Sequence, residues 1–234
     1  MLKLSRRAVP ESAARVLKNR TARVLRASDR AAEANRSWKT FRGRARDAVV
    51  DGLREMAGGL ERCVYCEDNM GMAIDHFRPK SAYPESCFDW NNYYWACSFC
   101  NSNAKRDEFP LDRLGGRLLI DPCDDSPHDH MALSPTTGRY VAMDDRGEES
   151  IRVFGLNREV CVKGRKNAWQ ALQGLIVRYA DHEEERVDVL QALREFPFQG
   201  VRVYLHEVYG SDARDLFLSQ SAIDAIGNFP ELID

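Results

Sequence analysis

The stretch that decides the fold runs from residue 63 to residue 105: CVYCEDNMGMAIDHFRPKSAYPESCFDWNNYYWACSFCNSNAK. It opens and closes on a C-x-x-C pair, Cys63/Cys66 and Cys97/Cys100, with 30 residues between the pairs. Two such knuckles offer four thiolates that converge tetrahedrally on Zn²⁺, a closed ligand set that holds a fold and does no chemistry. The other three of the seven cysteines, Cys87, Cys123 and Cys161, stand at no such spacing and read as reduced thiols without a catalytic role. Between the knuckles the chain is rich in Asn, aromatic residues and turn formers and has no long periodic pattern. Such a segment has too thin a core of its own and needs a metal staple.

Inside the loop, the short apolar run Met72-Ala73-Ile74 leads into Asp75-His76 and then Phe77-Arg78-Pro79-Lys80. Trp90-Asn91-Asn92 follows, and after the second knuckle come Asn101 and, four residues on, Lys105. A carboxylate beside a histidine at a strand end, with carboxamides near, suits metal-assisted hydrolysis. Carboxylate and amide oxygens are hard ligands for Mg²⁺, and an imidazole takes a proton from water near neutral pH. Asn101 and Lys105 lie one helical turn apart and are expected to face the same site. Trp90, Tyr93, Tyr94 and Trp95 read as packing of the small motif rather than as stacking platforms for bases.

Working outward, the 234 residues are 44% hydrophobic and 30% charged, ordinary for a folded soluble protein. No run approaches the ~18 apolar residues of a membrane span, and the start lacks the apolar core of a secretory signal. The net charge of −2 hides a polarity: residues 1–50 carry 14 Lys/Arg against 4 Asp/Glu, a balance of +10 that leaves −12 for the rest. The basic end is expected to meet a polyanion or an acidic partner, or to dock on its own acidic half. Two helices are expected from Ser12 to Gly58, broken near Ser37. The first would turn Arg15, Lys18, Arg23, Arg26 and Arg30 to one face and Ala13, Leu17, Val24 and Ala31 to the other. The second would bury Phe41, Val49, Val50 and Leu53.

Beyond Pro110 the pattern suggests a short strand at Arg117–Ile120, then the turn-rich run DPCDDSPHDH at 121–130. Its Asp121, Asp124, Asp125, His128, Asp129 and His130 match no metal spacing and read as a solvated loop. Two strands, Arg139–Met143 and Ser150–Val153, would be joined by the turn DDRG. A long helix is expected at 157–180 with Asn157 as its N-cap, and helical patterns continue through 183–196 and 212–227, with Pro197 and Gly210 as breaks. The chain thus divides into a basic helical region (1–58), the cysteine-bracketed segment (59–110) and a mostly helical region with a short β-hairpin (111–234).

The string CVYC…IDHFRPK…WNNYYWACSFCN…K resembles the HNH endonuclease family, in the subclass whose ββα-metal motif is bracketed by a four-cysteine zinc site. The motif covers residues 63–105, under a fifth of the chain. More loosely, the basic start, LLIDP at 118–122, DSPHDH at 125–130 and IRVFGLNREV at 151–160 resemble the HNH subunits of Septu-type and retron-associated anti-phage systems, which work beside an ATPase of the ABC/SMC type. The resemblance implies an α+β protein, mainly helical, around a central zinc-stapled ββα-metal motif, hydrolysing phosphodiesters of DNA in the bacterial cytoplasm. Carried over by position, it makes His76 the general base, and Asp75 and Asn101 the holders of a single catalytic Mg²⁺ or Mn²⁺. Asn92 would orient the His76 ring through a backbone contact, and Arg78, Lys80 and Lys105 would contact phosphate. The family's last position is often His, and here it is Asn101. Cys63, Cys66, Cys97 and Cys100 would hold the structural Zn²⁺. The basic N-terminal helices would form the phosphate track, with little base specificity, and one site per chain would favour a homodimer for cutting both strands. The competing readings are a zinc-containing nucleic-acid-binding module without chemistry and an interaction subunit silent without its ATPase. The intact Asp75, His76, Asn92 and Asn101 set argues against the first.

Overall fold

The computed structural model describes residues 1–233, and the cysteine segment lies where two helical regions meet. Pro10 leads into α1 (Glu11–Arg26), which buries Ala13, Leu17 and Val24 and turns Arg15, Lys18 and Arg26 outward, as the helical wheel requires. Asp29 caps α2 (Arg30–Lys39), its carboxylate accepting the Ala32 N–H at 2.9 Å. Gly43, at φ +74°, opens α3 (Arg44–Met56), which buries Val49, Val50, Leu53 and Met56. The breaks therefore fall at 27–29 and 40–43, not near Ser37. Ser37 stays inside α2 because its hydroxyl donates to the buried Glu33 carboxylate at 2.6 Å. Arg23 and Arg36 ion-pair with the same carboxylate. The local preference of serine for a helix boundary is outweighed by a buried acceptor one turn back.

The small sheet that follows is β1 (Ala73–His76) antiparallel to β2 (Tyr93–Ala96), with Asp75 opposite Tyr94 and His76 opposite Tyr93. The first knuckle is stitched to β2 by the Val64 N–H, which donates to the Trp95 carbonyl at 3.0 Å. Gly71 lies so close to the Trp95 indole that a Cβ there would come within 2.0 Å of it. Directly after β2, Phe99–Lys105 wind as a π-helix, closed by the Arg106 N–H on the Asn101 carbonyl at 2.8 Å. The order is thus strand, strand, helix, with a cysteine knuckle before the first strand and another after the second.

The remaining chain forms β3 (Met131–Leu133) paired with β4 (Tyr140–Ala142), then α4 (Asp145–Val153), α5 (Glu159–Asp181), α6 (Arg186–Glu195), α7 (Gln199–Tyr209) and α8 (Gln220–Asn228). Arg117–Ile120 makes one isolated bridge, Leu111 to Arg117, instead of a strand, and Ile120 gives its N–H to the Ser150 hydroxyl at 2.8 Å. Ser150–Val153 is the end of α4, not a strand. The reason lies in DDRG, where Asp144 accepts the Gly147 N–H at 2.8 Å and starts a helix in place of a turn. The true partner of β4 is Met131–Leu133. Asn157 does not cap α5; it bridges the N–H and C=O of Tyr140 at 2.8 and 2.7 Å, and Arg158 holds the cap position. The 212–227 pattern splits into a single turn, Arg214–Phe217, and α8, capped by Ser219. Buried apolar residues run without interruption from Leu17 of α1 through Tyr93 of β2 to Ile226 of α8. The fold is α+β and mainly helical, with no described helix long and apolar enough to cross a membrane.

The turn into β4 makes a stringent test of this packing. Gly138 has φ +76°, its carbonyl accepts from the buried Arg165 at 2.7 Å, and a Cβ would fall 2.2 Å from the Val162 carbonyl oxygen. Gly138→Ala is expected to destabilise by about 2–3 kcal/mol, read as a lower urea midpoint at unchanged m-value.

Candidate metal centre and hydrolytic site

Cys63, Cys66, Cys97 and Cys100 are all buried, all unpaired by disulfides, and their Sγ atoms lie within 4.8 Å of one another. A tetrahedron with Zn–S bonds of about 2.3 Å has S–S edges of about 3.8 Å. The Cys66–Cys97 sulfur separation is 3.9 Å. The Cys100 N–H points at the Cys97 sulfur at 3.4 Å, and the Arg158 guanidinium approaches the Cys100 sulfur at 3.9 Å, both suited to stabilising thiolate charge. Contacts with its neighbours, Cys100 first, hold the Cys97 thiol down to about 7. Donor type, number, spacing and burial all fit a structural zinc. Among the described residues no other group of His, Cys, Asp or Glu gathers closely enough to hold an ion.

Successive residues of a strand face opposite ways, and β1 uses both faces for polar groups. Asp75, 1% exposed, turns toward Tyr65, whose hydroxyl donates to Oδ2 at 2.6 Å, and toward Lys105, whose ammonium lies 3.2 Å from Oδ1. Burial raises the Tyr65 phenol well above its usual range, so it remains a donor. Its ring stacks on Phe154 at 4.0 Å. Lys105 is wholly buried and also donates to the His76 carbonyl at 2.7 Å. It therefore cannot reach a phosphate here; the expected phosphate contact is instead the counter-charge of Asp75 and a strut for β1.

His76 turns the other way. Its ring packs edge-on against Trp38 of α2 at 4.3 Å and against Tyr93 at 5.3 Å, and Nε2 lies 3.0 Å from the Cys87 carbonyl. A carbonyl only accepts, so Nε2 carries the proton and the lone pair sits on Nδ1. Nδ1 has no hydrogen-bond partner among the described residues and is not sealed from solvent. Burial lowers the His76 pKa to about 4, so the ring is neutral at pH 7. The group that touches the ring nitrogen is thus the Cys87 carbonyl; Asn92 makes no hydrogen bond to the ring itself. The Asn92 side chain instead clamps the loop between the strands: Oδ1 accepts the Arg78 N–H at 2.7 Å, and Nδ2 donates to the Arg78 and Ser86 carbonyls at 3.0 Å. Arg78 is exposed, lies 5.9 Å from the Tyr83 ring and lines a polar cleft of about 170 Å³ with Asn92, Arg117 and Asp121. Lys80 is half-buried, and its charge is felt at His76.

Asn101 sits half-buried on the π-helix with no side-chain hydrogen bond among the described residues. Of the two expected holders of a catalytic divalent ion, only this one presents a free donor. Both oxygens of Asp75 are engaged, one of them by a cation, so the Asp75 half of the pair does not fit a divalent ion in this arrangement.

Three contributors had no local signal in the sequence: Tyr65 inside the first knuckle, Trp38 on a distant helix and the Cys87 carbonyl. The DPCDDSPHDH run is not a solvated loop. Asp121 is buried and accepts from the Tyr94 hydroxyl, Asp125 is gripped by Arg117 and Arg146, and His130 meets Asp144 at 2.6 Å, so the run ties β2 to the helices beyond. The basic face is partly spent internally. Arg20 lies over Phe41 and Phe88 at 5.2 and 5.5 Å, and Arg23 and Arg36 serve Glu33, while Arg15, Lys18, Arg26 and Arg30 stay exposed without ion pairs among the described residues.

No family model matches the chain. It is 29% identical over 149 residues to the Septu protein PtuB of Bacillus mycoides (strain KBAB4), an alignment covering 51% of this chain and 50% of that protein. It is 27% identical over 111 residues to the Septu protein PtuB of Bacillus thuringiensis, covering 45% and 40%. The chain spans about half the length of the curated relatives it matches.

Three measurements test this geometry. Cys97→Ser should lower bound zinc well below one ion per chain by metal analysis and reduce the melting temperature; a full zinc complement would remove the four-thiolate site. Burial holds His76 down to about 4, and desolvation of the half-buried His128 lowers it likewise to about 4, against an ordinary 6.5. The unfolded chain then binds more protons between those values, so these two histidines should make stability fall as pH drops from 6.5 toward 4 and add no further loss below. Trp38→Ala should free the His76 ring and move its NMR titration back toward 6.5.

Proposed function

We propose that the chain is an HNH-type endonuclease that hydrolyses phosphodiester bonds of DNA, as part of a bacterial anti-phage defence system of the Septu kind and beside an ATPase of the ABC/SMC type. The observation that carries the reading is the His76 tautomer. With Nε2–H given to the Cys87 carbonyl, the unprotonated Nδ1 is the ring nitrogen left to take a proton from an attacking water. The similarity to the two Septu proteins supports the defence setting, and the strand–strand–helix order, with one cysteine knuckle before the first strand and the other where the helix begins, supports the HNH type.

In this reading the cysteine-bound Zn²⁺ supplies rigidity alone. Asn92 keeps the loop from Phe77 to Asn92 at a fixed distance from β1, which holds the Cys87 carbonyl against His76. The neutral ring then accepts the water's proton at Nδ1, and a phosphate held nearby favours the resulting imidazolium electrostatically, drawing its pKa upward from 4. Arg78 supplies a guanidinium for a non-bridging phosphate oxygen. The exposed Arg15, Lys18, Arg26 and Arg30 form the positive surface along which a backbone approaches, and α2 connects that surface to His76 through Trp38. Work on DNA with such partners places the protein in the cytoplasm.

A second reading, a zinc-containing nucleic-acid-binding or interaction subunit without chemistry, is favoured by the engagement of both Asp75 oxygens. A cleavage assay on plasmid, linear and single-stranded DNA and on RNA, in Mg²⁺ and in Mn²⁺, separates the two. Wild-type chain should nick DNA, and His76→Ala should reduce the rate at least a hundredfold with zinc content and circular dichroism unchanged. Equal cleavage by both proteins would remove His76 from the mechanism. Binding without cleavage, with and without an ATPase partner of the ABC/SMC type, would favour the second reading.

A further inference from the structure

We propose that Arg158 is the counter-cation of the four-thiolate zinc centre, held there by the segment from Phe154 to Cys161, which forms an outer wall of that centre. The inference rests on the four cysteines binding zinc and stands apart from the nuclease reading.

Each knuckle carries an aromatic residue at its third position, Tyr65 in the first and Phe99 in the second. The chain that joins α4 to α5 grips both. Phe154 stacks on the Tyr65 ring at 4.0 Å, and the Arg158 guanidinium lies 4.4 Å from the centre of the Phe99 ring. Gly155 permits this close approach, since it has φ +60° and a Cβ there would stand 3.3 Å from the Phe99 ring. One turn into α5, Cys161 is wholly buried, and its thiol interacts with the Cys66 sulfur. Two polar groups from a region remote in sequence thus reach the sulfur cluster from one side.

The guanidinium has no carboxylate within hydrogen-bond reach among the described residues. Nη1 donates to the Gly155 carbonyl at 3.2 Å and approaches the Cys100 sulfur at 3.9 Å. Nη2 is buried without a hydrogen-bond partner, and the Asp68 carboxylate stands 4.0 Å from it, too far for a hydrogen bond. A cation kept in the interior without a bonded anion is strongly destabilising. Four thiolates around Zn²⁺ make a dianion, and burying that charge is costly for the same reason. Side by side, each offsets the other, and attraction at this range is far stronger in the interior than in water. The zinc-bound cluster is therefore the anion that the buried guanidinium lacks. A cation beside the sulfurs favours their thiolate form, the form that binds metal, and so slows departure of the ion. Arg158 is a positioning residue of the metal centre, and the Cys161 thiol adds a weak donor on the same side.

The test uses the full zinc-loaded chain and follows zinc transfer to a colorimetric chelator, with folding checked by circular dichroism. Arg158→Gln should release zinc roughly tenfold faster than wild type, and Arg158→Lys, which keeps the charge, should restore slow release. Arg152→Gln, on α4 with Glu108 and Glu149 as partners, should release zinc at the wild-type rate. Arg158→Met, which keeps an unbranched stem over Phe99, makes the same comparison if the Gln variant does not fold. A spectroscopic signature separates charge from packing. In cobalt-substituted protein the thiolate-to-metal charge-transfer band should move to longer wavelength in Arg158→Gln and return in Arg158→Lys. Wild-type release rates and an unmoved band in the Gln and Met variants would overturn the proposal. Equally fast release by the Gln, Met and Lys variants would overturn it too, leaving Arg158 as packing alone. If Asp68→Asn reproduced the faster release, the guanidinium would belong to that carboxylate and the proposal would fall. A wild-type chain without zinc would remove the four-thiolate site and this proposal together, while the nuclease reading would still be judged by His76→Ala.

Discussion

Four sulfur atoms within 4.8 Å of one another close a loop of 30 residues, and the geometry of the whole candidate site is inherited from that closure. Without it the segment has few means to hold itself: two strands of four residues and a single π-turn lie far below what stands alone in water. Joining Cys66 to Cys97 fixes where β1 begins relative to where β2 ends. The antiparallel register then sets Asp75 against Tyr94 and His76 against Tyr93. The π-helix starts from the second knuckle, so the reach of Lys105 to β1 is also measured from the cysteine cluster.

The strand's period of two sorts the chemistry. Asp75 and His76 are adjacent in the chain, yet they belong to different environments, one made by Tyr65, Lys105 and Phe154 and the other by Trp38, Tyr93 and the Cys87 carbonyl. The first is an ion pair with a hydrogen-bonded phenol, and it satisfies both oxygens of the carboxylate. The second is largely apolar and keeps the imidazole neutral, with its tautomer chosen by a single carbonyl. The hydrogen-bond partners of the two residues are therefore different, although the charges of Asp75 and Lys105 are both felt at the His76 ring.

The basic N-terminal region is coupled to this site by packing as well as by charge. The Glu33 carboxylate, buried and shared by Arg23, Arg36 and Ser37, fastens α2 to α1, and α2 in turn carries Trp38 onto the His76 ring. Arg6 adds a second tie, donating to the Tyr93 carbonyl at 2.9 Å and lying 4.6 Å from the Tyr94 ring. Several of the arginines that make the sequence look like a polyanion track are thus structural, and the exposed remainder forms a smaller surface than the composition suggests.

Spacing within the chain was enough to read the four-cysteine cluster, the strand ending at Asp75-His76, the helical character of both flanks and the buried stripe of α1, because each is a local pattern with its own physical period. Asp144 defeated the expectation of a strand at Ser150–Val153 because capping competes with β-propensity over a few residues, and Asn157 left its expected cap because the Tyr140 backbone offered both a donor and an acceptor. Tertiary structure alone decided the environment of each polar side chain: that Lys105 turns inward to Asp75, that Cys87 supplies the carbonyl for His76, and that Trp38 covers the ring. Residue identity states what a group is able to do. Whether a carboxylate meets an ammonium or open water depends on chain segments far apart in sequence, which only packing brings together.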